Sequence, residues 1–284
     1  MANKVGIVID STAYIPDELI KNFPIEISPV VVIWDGEELL DGVDISPKEF
    51  YERLQTAKVM PTTSQPSPEM MRKSYEKMLN QGYDVLGIFL TGKLSGTMSS
   101  ATQAKEMLPN ANIEIVDTHL TSMGSGWPIL KAAKASAAGA SLAECKQIAE
   151  QARDHSGVLF LVDTLEFLHR GGRIGTAKRF IGTALNVKPI LEFQDSVLEG
   201  LEQVRTMKKA MTRLVELLED RIGGRSPVQL GVMHANVPEA AQQLLEMARS
   251  RMDFAETTIS ALSPALGVQA GPGTLGFCYM AGYE

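Results

Sequence analysis

The sequence predicts a two-domain α/β protein, with a parallel, doubly wound sheet in residues 1–156 and a mixed α/β sheet in residues 157–284. Three observations point there. Short apolar runs alternate with helix signals through the first half, the pattern of parallel strands joined by crossover helices. The second half is more mixed, with a hairpin and a long helix before its last strand-helix-strand run. A polar stretch, Arg153-Asp154-His155-Ser156-Gly157, marks the boundary.

Taken in order, Val5 to Asp10 is an apolar run that closes on a carboxylate and on Ser11-Thr12, after which Pro16-Asp17-Glu18 opens a helix. Val30–Trp34 and Glu37–Leu40 form a hairpin, because Asp35-Gly36 supplies the positive-φ turn. Ser46-Pro47-Lys48-Glu49 is a capping box with proline at the first helical position. Val85–Leu90 and Ile113–Asp117 are strands, a helix starts near Met98, and Ser141 caps another with Glu144. Beyond the boundary, Val158–Val162 is a strand, and a short helix from Asp163-Thr164 stops at Gly171-Gly172. Lys188–Phe193 and Val197–Val204 form a second hairpin, Met207–Arg221 is a long helix, and a strand-helix-strand run follows from Val228. Ile174-Gly175-Thr176-Ala177 recurs as Ile181-Gly182-Thr183-Ala184, which on one helix would place glycine and threonine on one side for close packing.

Composition removes several function classes. Lys and Arg number 27 against 34 Asp and Glu, a net charge of −7. A nucleic-acid binder needs a basic face to displace counterions, and a membrane-surface protein needs a polybasic patch. No run of about 18 uncharged apolar residues predicts a transmembrane helix, so no stable membrane insertion is expected. The Val5–Ile9 run is too short for a signal peptide. Cys145 and Cys278 make neither a disulfide framework nor a zinc pattern, and His119, His155, His169 and His234 lack metal-ligand spacing. The expectation is a cytoplasmic protein without metal or cofactor.

In open α/β sheets, ligands sit beyond the carboxyl ends of the strands. Four polar clusters fall there or in comparable loops: Asp10-Ser11-Thr12, Thr62 to Ser67, Ser95-Gly96-Thr97 and Asp117-Thr118. The run before Pro66 and Pro68 is expected to be extended, projecting its hydroxyls together. Ser95-Gly96-Thr97 precedes a helix, where N–H groups and the dipole favour an anion. Each cluster also reads as a helix cap; together they describe hydroxyl donors around one carboxylate- or phosphate-sized group. Arg170 and Arg173 flank Gly171-Gly172 on a cationic loop, suited to phosphate or partner carboxylates, or else a solvated helix end. Hydrolase and nucleotide motifs are incomplete: Gly124-Ser125-Gly126 lacks the outer frame of the nucleophile elbow, and Thr91-Gly92-Lys93-Leu94 puts leucine where a P-loop needs a hydroxyl.

In chain order, Asp10-Ser11-Thr12, Thr63-Ser64-Gln65-Pro66-Ser67, Ser95-Gly96-Thr97, Val162-Asp163-Thr164-Leu165, Arg170 to Gly175, Lys188-Pro189-Ile190 and Gly271-Pro272-Gly273 closely resemble the DegV family of bacterial fatty-acid-binding proteins. The resemblance covers essentially the whole chain. It implies a DegV-like two-domain fold holding one long-chain fatty acid between its domains. It further implies that the acid is presented to a fatty acid kinase, which makes an acyl phosphate for phospholipid synthesis. On the same resemblance, Thr63 and Ser95 hydrogen-bond the carboxylate. Ser64, Gly96, Thr97, Arg170, Arg173, Arg205 and Gln269 are implied as secondary head-group or partner contacts. Gln269 is a departure, because the family usually carries histidine two residues before its Gly-Pro-Gly. Glutamine can still donate a hydrogen bond but cannot become a cation or shuttle a proton.

The physics permits such a ligand. A C16 chain buries about 14 methylenes at about 0.8 kcal/mol each, roughly 11 kcal/mol gross. Association costs remove a large share, and the buried carboxylate must be hydrogen-bonded or neutralised. The 14 methionines would suit an adaptable apolar tunnel, with ordinary core packing as the default for most. Two further readings stand beside the carrier: a serine-dependent acyl or phosphoryl transferase with Ser95 as nucleophile, and a regulatory or scaffold lipid-binding protein without a kinase partner.

Overall fold

The computed structural model describes residues 4–182 and 187–284. The chain runs β1 (Val5–Asp10), a 3-10 turn (Ser11–Ala13), α1 (Asp17–Ile20), β2 (Ile25–Ser28), β3 (Val31–Trp34), β4 (Glu37–Leu40), α2 (Pro47–Gln55), β5 (Thr62–Ser64) and α3 (Pro68–Leu79). It continues through β6 (Asp84–Phe89), α4 (Thr97–Glu106), β7 (Ile113–Asp117), α5 (Met123–Ala137) and α6 (Leu142–Asp154). The remainder is β8 (Ser156–Leu161), α7 (Glu166–Arg170), a second 3-10 turn (Gly175–Phe180), β9 (Lys188–Gln194), β10 (Val197–Val204), α8 (Met207–Ile222), β11 (Val228–His234), α9 (Pro238–Arg249), β12 (Glu256–Ala261), α10 (Pro264–Ala270) and β13 (Leu275–Ala281).

These elements form the α/β architecture that the sequence predicts. One sheet is wholly parallel, in the order β2-β1-β6-β7. Every residue of β1 is buried, as a parallel strand covered on both faces requires. The second sheet is mixed, in the order β10-β9-β8-β13-β11-β12, with β11–β12 its parallel pair. A small antiparallel sheet, β4-β3-β5, lies over the carboxyl ends of the first. Both hairpins turn where expected, on Asp35-Gly36 and on Asp195-Ser196, each pair at positive φ. Ser46 and Ser141 each form a complete capping box.

The layers stack α/β/α/β/α. Helices α3 and α4 cover the outer face of the parallel sheet, and α8 and α9 cover the outer face of the mixed one. Helix α5 lies between the two sheets. Its Trp127 Nε1 donates to Cys278 O of β13 at 2.9 Å, and its Ser136 Oγ donates to Val5 O of β1 at 2.7 Å. One hydrophobic cluster therefore runs from Ile7 and Ile9 through Trp127 to Val158 and Met280. Gly124 lets α5 approach β8: a Cβ there would stand 2.3 Å from Val158 Cγ2. The Arg153–Gly157 stretch takes the chain from the end of α6 directly into β8, and so from the first sheet to the second.

The repeated Ile-Gly-Thr-Ala motif does not share one helix. Gly175–Phe180 is a short 3-10 turn and Ile181 is extended, at φ −68° and ψ 132°. Thr183 and Ala184, the end of the second copy, lie outside the described residues.

Candidate functional site

A cavity opens between the loops beyond the carboxyl ends of the parallel sheet and one face of the mixed sheet, with ≈ 860 Å³ of space free of protein atoms including open solvent at its mouth. Its wall is apolar and drawn from both halves: Val30, Leu90 and Leu94 from the first, and Val158, Phe160, Leu168, Phe193, Leu198, Leu262 and Leu266 from the second. Phe160 and Phe193 stack with ring centroids 6.3 Å apart. Among the described residues, Met233 is the one methionine on the wall. Met71, Met78, Met123, Met211 and Met280 are buried in the core, the ordinary packing given as the default, and the wall is not methionine-rich.

The mouth is polar. Thr63, Ser64, Gln65, Ser95, Arg173 and Gln269 meet there. Thr63 and Ser64 come from β5, the extended segment that Pro66 and Pro68 predict, held in register against Val32 and Val31 of β3. Gln269, on α10, donates from Nε2 to Thr63 Oγ1 at 3.1 Å, leaving the threonine proton to donate elsewhere. Ser95 Oγ lies 2.9 Å from Thr97 Oγ1 and accepts from Thr97 N at 3.3 Å, just ahead of α4. Arg173 is the one charged side chain on the cavity wall among the described residues. Its Nε donates to Leu94 O at 3.1 Å and its Nη1 to Gly171 O at 2.5 Å, which fixes the guanidinium across the mouth. The arginine loop is therefore anchored to the Ser95 loop.

Other expected site residues fall around this centre. Gly96 caps α4 without lining the cavity, and Thr97 is buried beneath Ser95. Arg170 pairs with Glu166 at 2.5 Å and lines an outer recess, which shares Thr63, Arg173 and Gln269 with the cavity. Arg205 is not brought to the mouth; it lines a separate groove with Thr164, His169 and Lys188. Nor do all four polar clusters converge. Asp117 accepts from Gly92 N and His119 N, and Thr118 donates to Phe89 O, so both brace loops. Asp10 accepts from Thr12 N, Thr12 Oγ1 and Leu90 N, and Ser11 Oγ donates to Asp41 Oδ2 at 2.6 Å. Of that cluster Thr12 alone lines the cavity.

Sequence reasoning missed Asp41, Thr121 and Ser122. Asp41 accepts from Ser11 Oγ and from Ala265 N at the start of α10, tying the first sheet to the helix that carries Gln269. Burial lifts the Asp41 carboxyl to about 6, against hydrogen bonds that lower it. The signal available was a short polar step after β4, indistinguishable in sequence from an ordinary turn. Thr121 and Ser122 follow the carboxyl end of β7, a position that topology alone could have flagged. Gly171 also shapes the mouth, since a Cβ there would stand 1.9 Å from Gln269 Oε1. Gly171→Ala is expected to swing Gln269 off Thr63 with little loss of stability and to speed ligand exchange at the mouth; unchanged exchange rates in that variant would refute a gating role for the Gln269–Thr63 contact.

The fold and cavity define a three-sheet α/β protein with an apolar site and a hydroxyl-rich, singly cationic mouth. A family model described as "Uncharacterised protein, DegV family" matches residues 4–282. A DegV domain-containing protein of Listeria innocua is 34% identical over 280 residues, covering 98% of this chain and 99% of that protein. Protein DegV of Bacillus subtilis is 36% identical over 278 residues, 97% and 98% of the two chains. The chain belongs to the DegV family. Among solved structures, a fatty-acid-binding DegV family protein from Thermus thermophilus superposes with TM-score 0.92 at 33% identity, over 98% of this chain and 99% of that one. DegV of Bacillus subtilis, a fatty acid binding protein, matches with TM-score 0.88 at 34% identity, over 99% and 100%.

Proposed function

We propose that this protein is a non-catalytic carrier that binds one long-chain fatty acid in the cavity, tail inward and carboxylate at the mouth. One observation carries the reading: an apolar wall built by both halves of the chain ends at a mouth whose charged lining is a single arginine, beside two hydroxyls able to donate. A carboxylate offers only acceptors, and donors are what this mouth supplies. Thr63 and Ser95 bind the carboxylate; Arg173, Ser64 and Gln269 surround it. The fatty-acid-binding relatives support the ligand class. We assign residues 1–156 and 157–284 to two domains, the first carrying the head-group hydroxyls and the second completing the lipid site.

In this reading the protein acts in the cytoplasm and presents the carboxylate to a fatty acid kinase, with Arg170 and the outer recess facing the partner. The transferase reading is disfavoured by a particular contact. Ser95 Oγ is paired with the Thr97 hydroxyl, and a serine nucleophile needs a base. Mass spectrometry of the freshly purified protein, native and then after denaturation with solvent extraction, tests the carrier reading. A stoichiometric fatty acid is the expected result; bare mass with no uptake of offered acid overturns it. Thr63→Ala with Ser95→Ala is expected to weaken retention at least roughly tenfold, since hydrogen bonds to charged groups are about 1.5–3 kcal/mol each. Retention of normal stoichiometry by the double variant would refute the site assignment. For the kinase step, acyl phosphate formation by a fatty acid kinase supplied with the loaded protein is expected, and a kinase that works equally well without it would remove that role.

A further inference from the structure

Past the mouth, four hydroxyl side chains interrupt the apolar wall, Thr12, Thr121, Ser122 and Thr274, the last with its proton given to Ala270 O and Gly271 O. Thr12, Thr121 and Ser122 are 2%, 6% and 1% exposed, whereas Thr63, Ser64 and Ser95 are half-buried, so these three lie inward of the mouth. None of them lines the outer recess. Their hydrogen bonds run in one direction. Thr121 Oγ1 donates to Thr12 Oγ1 at 3.4 Å, and Thr12 Oγ1 donates to Asp10 Oδ1 at 2.5 Å. With its proton committed, Thr121 presents lone pairs to the cavity.

Beside it, Ser122 Oγ is buried without a hydrogen-bond partner of good geometry; its polar neighbour is the weakly interacting Cys278 thiol. Ser122 also holds φ 53° and ψ −150°, a backbone region populated almost only by glycine. A wall meant only for methylenes gains nothing from a strained residue with an unpaired hydroxyl, because burying a polar group without a partner is unfavourable. An acceptor at Thr121 next to a donor at Ser122 is the complement of one alcohol group.

We infer that the cavity takes a long-chain fatty acid bearing a hydroxyl partway along its chain, which donates to Thr121 Oγ1 and accepts from Ser122 Oγ. The inference rests on the carrier reading and adds the substrate class to it. The test is a competition titration of octadecanoic acid and its monohydroxy derivatives, with the hydroxyl stepped along the chain. It is run on the wild-type protein, Thr121→Val and Ser122→Gly. One positional isomer is expected to bind about tenfold tighter than the parent acid, the scale of one well-made buried hydrogen bond. The ratio of hydroxy-acid to parent affinity falls to near one in Thr121→Val, which keeps the shape and removes the acceptor. Ser122→Gly relieves the positive φ, so it folds readily, and lowers the same ratio. If no isomer binds better than the parent, or the advantage survives both substitutions, the inference is overturned while the carrier reading stands. Failure of every acid to bind, the parent included, overturns both.

Discussion

Trp127→Ala is expected to lower the unfolding free energy by about 4 kcal/mol, since large aromatic-to-alanine changes in cores cost about 3–5 kcal/mol. Trp127 is 1% exposed and sits on the helix shared by both sheets. Its removal leaves a hollow walled by the central cluster and deletes the indole bond to Cys278 O. Rigid strands on both sides limit collapse into that space. Urea unfolding followed by far-UV circular dichroism checks this: the midpoint should fall with the slope unchanged. A loss below about 1 kcal/mol would mean that the central helix does not bear on the stability of both sheets.

Asp41→Asn is expected to stabilise the protein at neutral pH and to remove a pH dependence. Asp41 is 1% exposed, and burial lifts its carboxyl to about 6, with the nearby acid Asp10 adding to the rise. A raised folded-state pKa means that the native state binds the proton more tightly than the unfolded chain. Stability from this group is therefore greatest below about pH 4 and declines as pH rises through about 6. Lifting the carboxyl from 3.8 to about 6 makes its ionised form roughly 3 kcal/mol less favourable in the folded protein than in the unfolded chain. Asparagine retains an acceptor for Ala265 N and gives a donor toward Ser11 Oγ, with no charge to bury. The variant-minus-wild-type stability difference should thus grow from near zero at about pH 4 to roughly 3 kcal/mol at neutral pH. A difference that stays flat across that window would contradict an ionised, unpaired Asp41.

Much of this fold was legible because its local signals agree with its packing. Val5–Asp10 reads as a buried strand and is one; the Asp35-Gly36 turn and the Ser46 and Ser141 capping boxes sit where their side chains require. Helix α5 was not legible. Gly124, Gly126 and Pro128 are helix breakers by propensity, and they sit in α5 because the sheets on either side demand close approach. Strand β2 is a four-residue edge strand between Pro24 and Pro29, and its Ile-Glu-Ile-Ser alternation is too short to stand out from a loop. Thr63, Ser95 and Arg173 converge because loops from both halves fold over one mouth. Their grouping followed from the family resemblance, not from spacing. Arg205 shows the reverse case, since closeness along the chain to the second hairpin says nothing about which groove its side chain enters.

The helix shared by the two sheets also bears on how cargo is admitted. With a single buried cluster running through α5, there is no interior plane along which the halves could part without breaking the core itself. On the proposed carrier reading, loading and unloading are then local events at the rim, governed by the Gln269–Thr63 contact and the Arg173 clasp on Leu94. Such events belong to the fast regime of side chains and loops, well ahead of domain hinge motions. On that reading the residence time of a bound acid and the lifetime of the folded state are set by different groups, and each can be altered without disturbing the other.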